Sequence, residues 1–184
     1  MSEQIRIVLV DDHRIVRKGL KSVLEMYEDM QVIGEAASGE EALQQIEEWM
    51  PDVAVIDMLM PGGIDGVETI RRMRDLTPSV RIVVLTSYAD DARVVAALRA
   101  GAIGYVRKEA DPELLLASLR AAARGQSLLD PAVANALMRE LLHAGRHNAE
   151  LTEREHAVLR QLALGQTNRE IAETLVVTEE TVKT

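Results

Sequence analysis

The sequence predicts an α/β architecture over residues 1–124, a parallel sheet of five strands with helices on both faces, followed by an all-helical segment. Three observations carry this. Five short β-rich apolar runs alternate with helical patterns between residues 5 and 124. Such alternation makes a parallel sheet, because parallel neighbours need a long crossover between them. The first, third and fourth runs are apolar almost without a break, as strands covered on both faces must be. From residue 151 the pattern turns purely helical.

The first strand is IRIVLV at 5–10. Ile15, Val16, Leu20, Val23 and Leu24 then recur at three- and four-residue spacing, which gives a helix with one apolar face. QVIGEA at 31–36 is the second strand. Ser38 and Glu41 form a capping box, in which a hydroxyl and a carboxylate satisfy the free N–H groups of a helix start. VAVID at 53–57 is the third strand, and the third helix follows Asp65-Gly66. VRIVVLT at 80–86 is the fourth, and the helix after it spans Asp90 to Ala100, with Gly101 as its stop. IGYVRK at 103–108 is the fifth; Asp111-Pro112 supplies a cap and a first-turn proline for the helix that follows. Five such units are expected in the order 2-1-3-4-5, the doubly wound flavodoxin-like arrangement.

SLLDPAVANALMRELLHA has another Asp-Pro start at Asp130-Pro131 and reads as an amphipathic helix. AGRHNAE at 144–150 reads as a polar linker. Beyond it, Thr152 with Glu155 and Thr167 with Glu170 are two more capping boxes, separated by Gly165. Thr178 is placed to cap a third helix.

Composition narrows the chemistry. The 184 residues contain no cysteine, which excludes disulfides, thiolate-bound zinc and thiol catalysis and fits a reducing compartment. The longest apolar run, Val94 to Leu98, is far short of the ~20 residues of a membrane span. An acid stands near the start and no long apolar stretch precedes a cleavage site, so a signal peptide is not expected. There is no phenylalanine, one tryptophan and three tyrosines, too few for a stacking platform on single-stranded nucleic acid. Net charge is −9, with −7 on residues 1–150 and −2 on 151–184, so neither part has the basic footprint of a complete nucleic-acid binder.

In an open parallel sheet, chemistry gathers outside the carboxyl ends of the strands. Strand one runs into Asp11-Asp12, strand three into Asp57, strand four into Thr86 and strand five into Lys108. Singly, these are ordinary caps, turns and surface charges. Together they place three carboxylates, a hydroxyl and one ammonium at one edge. Three carboxylates repel one another and need a counter-ion. Mg²⁺ suits them, since it takes one or two carboxylates, keeps waters and accepts phosphate oxygens. One carboxylate is then free to attack phosphorus and form an acyl phosphate.

The stretches LVDDH, VIDMLMPGGIDG, VVLTS and GYVRK, in this order, resemble the receiver domain of two-component response regulators over residues 4 to 124. The resemblance implies Asp57 as phosphoacceptor and Mg²⁺ held by Asp11, Asp12, Asp57 and the backbone carbonyl of Leu59. It implies Thr86 and Lys108 as phosphoryl contacts, and Thr86 with Tyr105 as the switch pair. It implies a regulator rather than an enzyme, with self-phosphotransfer and autodephosphorylation as its only chemistry. A sensor histidine kinase would be the donor, a homodimer the phosphorylated form, and the cytoplasm the location.

Two features depart from the family pattern. Met60-Pro61-Gly62-Gly63-Ile64-Asp65-Gly66 carries one residue more than the usual MPG-x-DG, which enlarges the loop. Glu109 rather than proline follows Lys108, as in the NarL/FixJ-type branch, so no cis bond is expected there. Leu59 and Tyr88, each two residues beyond a site residue, are bulky and are expected to shield an acyl phosphate from water.

LTEREHAVLRQLALGQTNREIAETLVVTEETVKT resembles the LuxR-type helix-turn-helix. In such motifs the second helix of the pair enters the major groove. That helix would begin near Thr178, with Thr181 and Lys183 on it as DNA contacts, and the sequence stops at Thr184, under two turns in. The expected organisation is a receiver at 1–124, a linker helix and polar linker at 125–150, and an incomplete LuxR-type segment at 151–184. Little specific DNA affinity is expected of the chain as it stands. Two rivals are a stand-alone receiver or phosphorelay module and a phosphohydrolase of the haloacid-dehalogenase kind. The latter needs a second acid two residues after its nucleophile, where Leu59 stands.

Overall fold

The computed structural model describes residues 4–87, 91–131, 133–135 and 137–139. They belong to a compact unit, Met1–Glu140; residues Leu141–Thr184 form a second unit. The elements run β1 (Ile5–Val10), α1 (Arg14–Leu24), β2 (Met30–Ala36), α2 (Gly39–Trp49), β3 (Val53–Ile56) and α3 (Gly66–Leu76). They continue as β4 (Arg81–Thr86), α4 (Asp91–Ala100), β5 (Gly104–Arg107), α5 (Pro112–Ala123) and β6 (Leu128–Leu129).

All strand pairs are parallel, in the order β2-β1-β3-β4-β5-β6. The predicted 2-1-3-4-5 order holds, and a short sixth strand extends it. That strand comes from the stretch read as the start of a helix. Gly125, at φ 71°, turns the chain back after α5 and lays Leu128 and Leu129 beside Gly104 and Tyr105. Asp130 then donates its N–H to the Tyr105 carbonyl, and helical residues follow from 131. The Asp-Pro pair does open the helix; the two leucines before it belong to the sheet.

Alternation along the strands divides the core in two. Val8, Ile56, Val84 and Tyr105 pack with Ile46 of α2, Ile70 of α3 and Val94 of α4. Ile7, Val55, Leu85 and Val106 pack on the opposite face with Leu24 of α1 and Leu116 and Leu119 of α5. Each such aliphatic side chain, once fully buried, contributes roughly 1.5–3 kcal/mol. β3 and the last four residues of β1, Ile7 to Val10, are buried on both faces, as their apolar runs require.

The caps form as the residue types predict. Ser38 Oγ accepts the Glu41 N–H at 3.2 Å, while the Glu41 carboxylate accepts the Ala37 N–H at 2.6 Å. Asp65 accepts the Glu68 N–H, and Asp111 the Glu113 N–H. In α1 the apolar face is narrower than its periodicity. Ile15, which its spacing places on that face, is 89 % exposed. Val16, Leu20 and Val23 are half-buried and line an open apolar groove with Leu115 and Leu116 of α5.

Candidate phosphoacceptor site

The four strand ends converge as the topology demands. β1 and β3 are neighbours, so Asp11 and Asp57 emerge side by side. Their backbones are fixed by adjoining ladders: Asp57 donates its N–H to Val10 O of β1 at 2.8 Å, and Asp11 donates to Ala36 O of β2 at 3.2 Å. Both carboxylates are buried. Lys108, just past β5, reaches between them, with Nζ 2.7 Å from Asp11 Oδ2 and 2.9 Å from Asp57 Oδ2. Its own N–H is tied to the Thr86 carbonyl at 2.8 Å. Thr86 is fully buried at the end of β4.

The loop after β1 is held from several sides. Asp11 Oδ1 accepts the His13 N–H at 2.8 Å, and Arg17 Nη1 donates to the Asp11 carbonyl. Asp12 is half-buried, and its Oδ1 is enclosed without accepting a hydrogen bond. His13 Nδ1 comes within 2.8 Å of that oxygen, but not in hydrogen-bond alignment. Asp57 Oδ1 accepts the Leu59 N–H at 3.4 Å. Asp11, Asp12, His13 and Asp57 each offer a ligand atom within 4.8 Å of one another, a cluster that could hold a metal ion. His13 had no role in the sequence reading beyond its place in LVDDH; its adjacency to the acid pair was the available signal.

Charge at this edge is unbalanced, three carboxylates against one ammonium. Burial raises the Asp57 carboxyl above the ordinary carboxylate range and the charge of Asp11 adds to that, while Lys108 acts to lower it. Burial pulls Lys108 down, but hydrogen bonds to Asp11 and Asp57 and their charges outweigh it and hold the ammonium above its usual value. An enclosed acceptor without a donor, beside an excess of negative charge, fits a hard cation.

Around the switch position, Tyr105 is fully buried. Two residues on, Arg107 lies in register with Thr86 and pairs through Nε with Asp130 at 3.1 Å. Asp130 is 2 % exposed, and Val133 shares a core with Tyr105. Sequence reasoning missed this pair; its partners stand 23 residues apart and no local pattern links them. No cis peptide bond occurs among the described residues, so Lys108-Glu109 is trans. Tyr88, Thr178, Thr181 and Lys183 lie outside the described residues. Among the described residues, no helix is long and apolar enough to cross a membrane.

Comparison with known proteins agrees with this geometry. The response regulator receiver domain matches residues 7–120, and the luxR family of bacterial regulatory proteins matches residues 149–184. The transcriptional regulatory protein LiaR of Bacillus subtilis is 39 % identical over 183 residues, covering 98 % of this chain and 86 % of its own. The nitrate/nitrite response regulator NarL of Escherichia coli K12 is 39 % identical over 186 residues, covering 98 % and 85 %. A LuxR-family response regulator from Aurantimonas sp. SI85-9A1 superposes with TM-score 0.72 at 35 % identity, over 76 % of this chain and 99 % of that one. RcsB of Salmonella enterica serovar Typhimurium, bound to promoter P1flhDC in the presence of BeF3⁻, gives TM-score 0.71 at 30 % identity, over 98 % and 87 %. This chain therefore belongs to the two-component response regulators of the NarL type, a receiver domain joined to a LuxR-type DNA-binding segment, and acts as a regulator rather than as an enzyme in the ordinary sense.

Proposed function

We propose that Asp57 accepts a phosphoryl group from the phosphohistidine of a sensor kinase, and that this event controls the LuxR-type segment. The observation that carries the proposal is the Lys108 ammonium, hydrogen-bonded to both Asp11 and Asp57 at the edge of the sheet. An oxygen of the Asp57 carboxylate attacks phosphorus in line with the leaving nitrogen. The P–O bond forms, the P–N bond breaks, and its electron pair returns to the imidazole, which takes up a proton. Asp57 is a competent nucleophile in its ionised form, so no separate base is required. Lys108 orients the carboxylate and neutralises charge developing on the phosphoryl oxygens, and the Thr86 hydroxyl donates to one of them.

Asp11, Asp12, Asp57 and the Leu59 carbonyl would hold Mg²⁺; when bound it supplies further charge neutralisation for phosphoryl oxygens. The same machinery run with water as acceptor gives autodephosphorylation, and Leu59 screens the acyl phosphate on one side. Phosphorylation replaces the single negative charge of the Asp57 carboxylate with a phosphoryl group carrying roughly 1.5 to 2, beside Thr86. Thr86 and Tyr105 pass the change along β4 and β5, leading to a homodimer and to altered DNA binding by residues 151–184. Residues 1–124 serve as the receiver and 125–150 as the connection, in the cytoplasm.

The test is incubation with Mg²⁺ and a small-molecule phosphodonor, read by intact mass. The wild-type chain is expected to gain one phosphoryl group and Asp57→Asn none. An adduct on both would remove Asp57 from the role.

A further inference from the structure

The enlarged loop after Asp57 has a clamp of its own. Its base is closed tightly: Gly66 donates its N–H to the Met58 carbonyl at 3.3 Å. A Cβ on Gly66 would lie 2.7 Å from the Asp57 carbonyl oxygen, so the two ends of the loop touch. Met58 and Met60 are buried, while Pro61, Gly62 and Gly63 are exposed at the tip. Gly62 takes φ 92°, a conformation that glycine adopts without strain. Two consecutive glycines and an added residue give this tip few side chains of its own to fix it.

A carboxylate from another element reaches it. Glu40, in the first turn of α2, accepts the Ile64 N–H through Oε1 at 2.7 Å. The reach is short because α2 starts against this region: a Cβ on Gly39 would lie 2.0 Å from Thr69 Oγ1 and 2.8 Å from Ile64 Cγ1. Gly63 is shaped to the clamp, since a Cβ there would stand 2.5 Å from Glu40 Oε1.

We infer that Glu40 is a positioning residue that compensates for the extra loop residue. By holding Ile64 it takes up the slack of the double glycine and keeps the Leu59 carbonyl in place for the metal. This rests on the proposed metal site, and it assigns no contact between Glu40 and the ion. Outer support of this kind sets how far a ligand is preorganised, and therefore affinity for the ion rather than the chemistry that follows.

The experiment titrates the full chain with Mg²⁺ alone, following backbone amide resonances, and then measures phosphoryl uptake against Mg²⁺ concentration. Glu40→Ala is expected to raise the Mg²⁺ Kd about 10-fold, the lower end for loss of outer support to a ligand. The half-saturating Mg²⁺ for uptake rises with it, and the rate at saturating Mg²⁺ stays at the wild-type value. Gly63→Ala, which displaces the Glu40 carboxylate, should reproduce this shift. Glu40→Gln keeps an acceptor for the Ile64 N–H and should bind Mg²⁺ like wild type. Deleting Gly63 in the Glu40→Ala background should restore affinity, because a shorter loop needs no clamp. Wild-type affinity in Glu40→Ala would overturn the inference. So would a Glu40→Gln shift equal to that of Glu40→Ala, which would mean that charge alone acts, or failure of the deletion to restore binding. Absence of saturable Mg²⁺ binding by the wild-type chain would instead overturn the metal site itself. Unchanged amide shifts in the sheet identify variants that keep the fold.

Discussion

Two acid–base clusters sit at opposite edges of the same sheet and behave in opposite ways. At the edge where the strands begin, Arg120 near the end of α5 grips Asp29 with two hydrogen bonds, 2.7 and 3.1 Å long. Its guanidinium also lies 5.5 Å from the centre of the Tyr27 ring. Arg120 meets Asp29 directly, with Glu113 close by and accepting from the Tyr27 hydroxyl, and the hydrogen bond from Arg120 holds Asp29 below the ordinary carboxylate range. At the edge where the strands end, three acids share Lys108, with Arg17 held on the Asp11 carbonyl and His13 beside Asp12, and burial pushes Asp57 the other way. The first cluster is satisfied and fastens α5 to the loop before β2. The second is left with negative charge to spare, and perturbed, incompletely compensated groups of this kind cluster at functional sites.

The largest expected effect comes from removing the ammonium that bridges Asp11 and Asp57. Lys108→Ala should lower the rate of phosphoryl uptake by about 100-fold or more, the usual scale for losing a positioned charge donor. It should also lower the melting temperature at neutral pH, because two buried carboxylates lose their partner. A rate within a few-fold of wild type would erase the contrast between the edges.

A smaller effect distinguishes the clusters by sign. Asp57 has a raised pKa in the fold, so its ionisation costs stability, and that cost grows as pH rises from the ordinary value of about 3.9 through the raised one. In the metal-free chain, Asp57→Asn should therefore raise the melting temperature at pH 7 and lose this advantage in acid. Asp29 has a lowered pKa, so its stabilisation is fully present above the ordinary value and disappears as pH falls through the lowered one. Asp29→Asn should destabilise at pH 7 by about 1 kcal/mol, the upper range for a partly exposed pair. Thermal melts of both variants across pH check the two signs; equal signs would show that the clusters do not differ as described.

Much of this was legible in the sequence, and the reasons are local. Nearly continuous apolar runs marked β1, β3 and β4, and capping residues marked the starts of α2, α3 and α5. Strand order then carried Asp11, Asp57, Thr86 and Lys108 to one edge, so the convergence followed from topology. What escaped the sequence depends on partners distant along the chain. Leu128 and Leu129 are too short a run to show a period, and the adjacent Asp-Pro signal drew them into a helix. Periodicity placed Ile15 on the apolar row, but not the point at which that row ran out of neighbours. The Arg107–Asp130 pair and the grip of Glu40 on Ile64 join residues 23 and 24 positions apart, and neither leaves a pattern in the chain.

The proposed function holds phosphorus at the unbalanced edge, on Asp57 and nowhere else. It is tested most directly by loading the full chain with a small-molecule phosphodonor and Mg²⁺, reducing it with borohydride and mapping the peptides. Reduction turns a phosphorylated aspartate into homoserine and leaves free carboxylates alone. Homoserine is expected at position 57 only. Homoserine at position 11 or 12, or at position 29 in the balanced cluster, would contradict it.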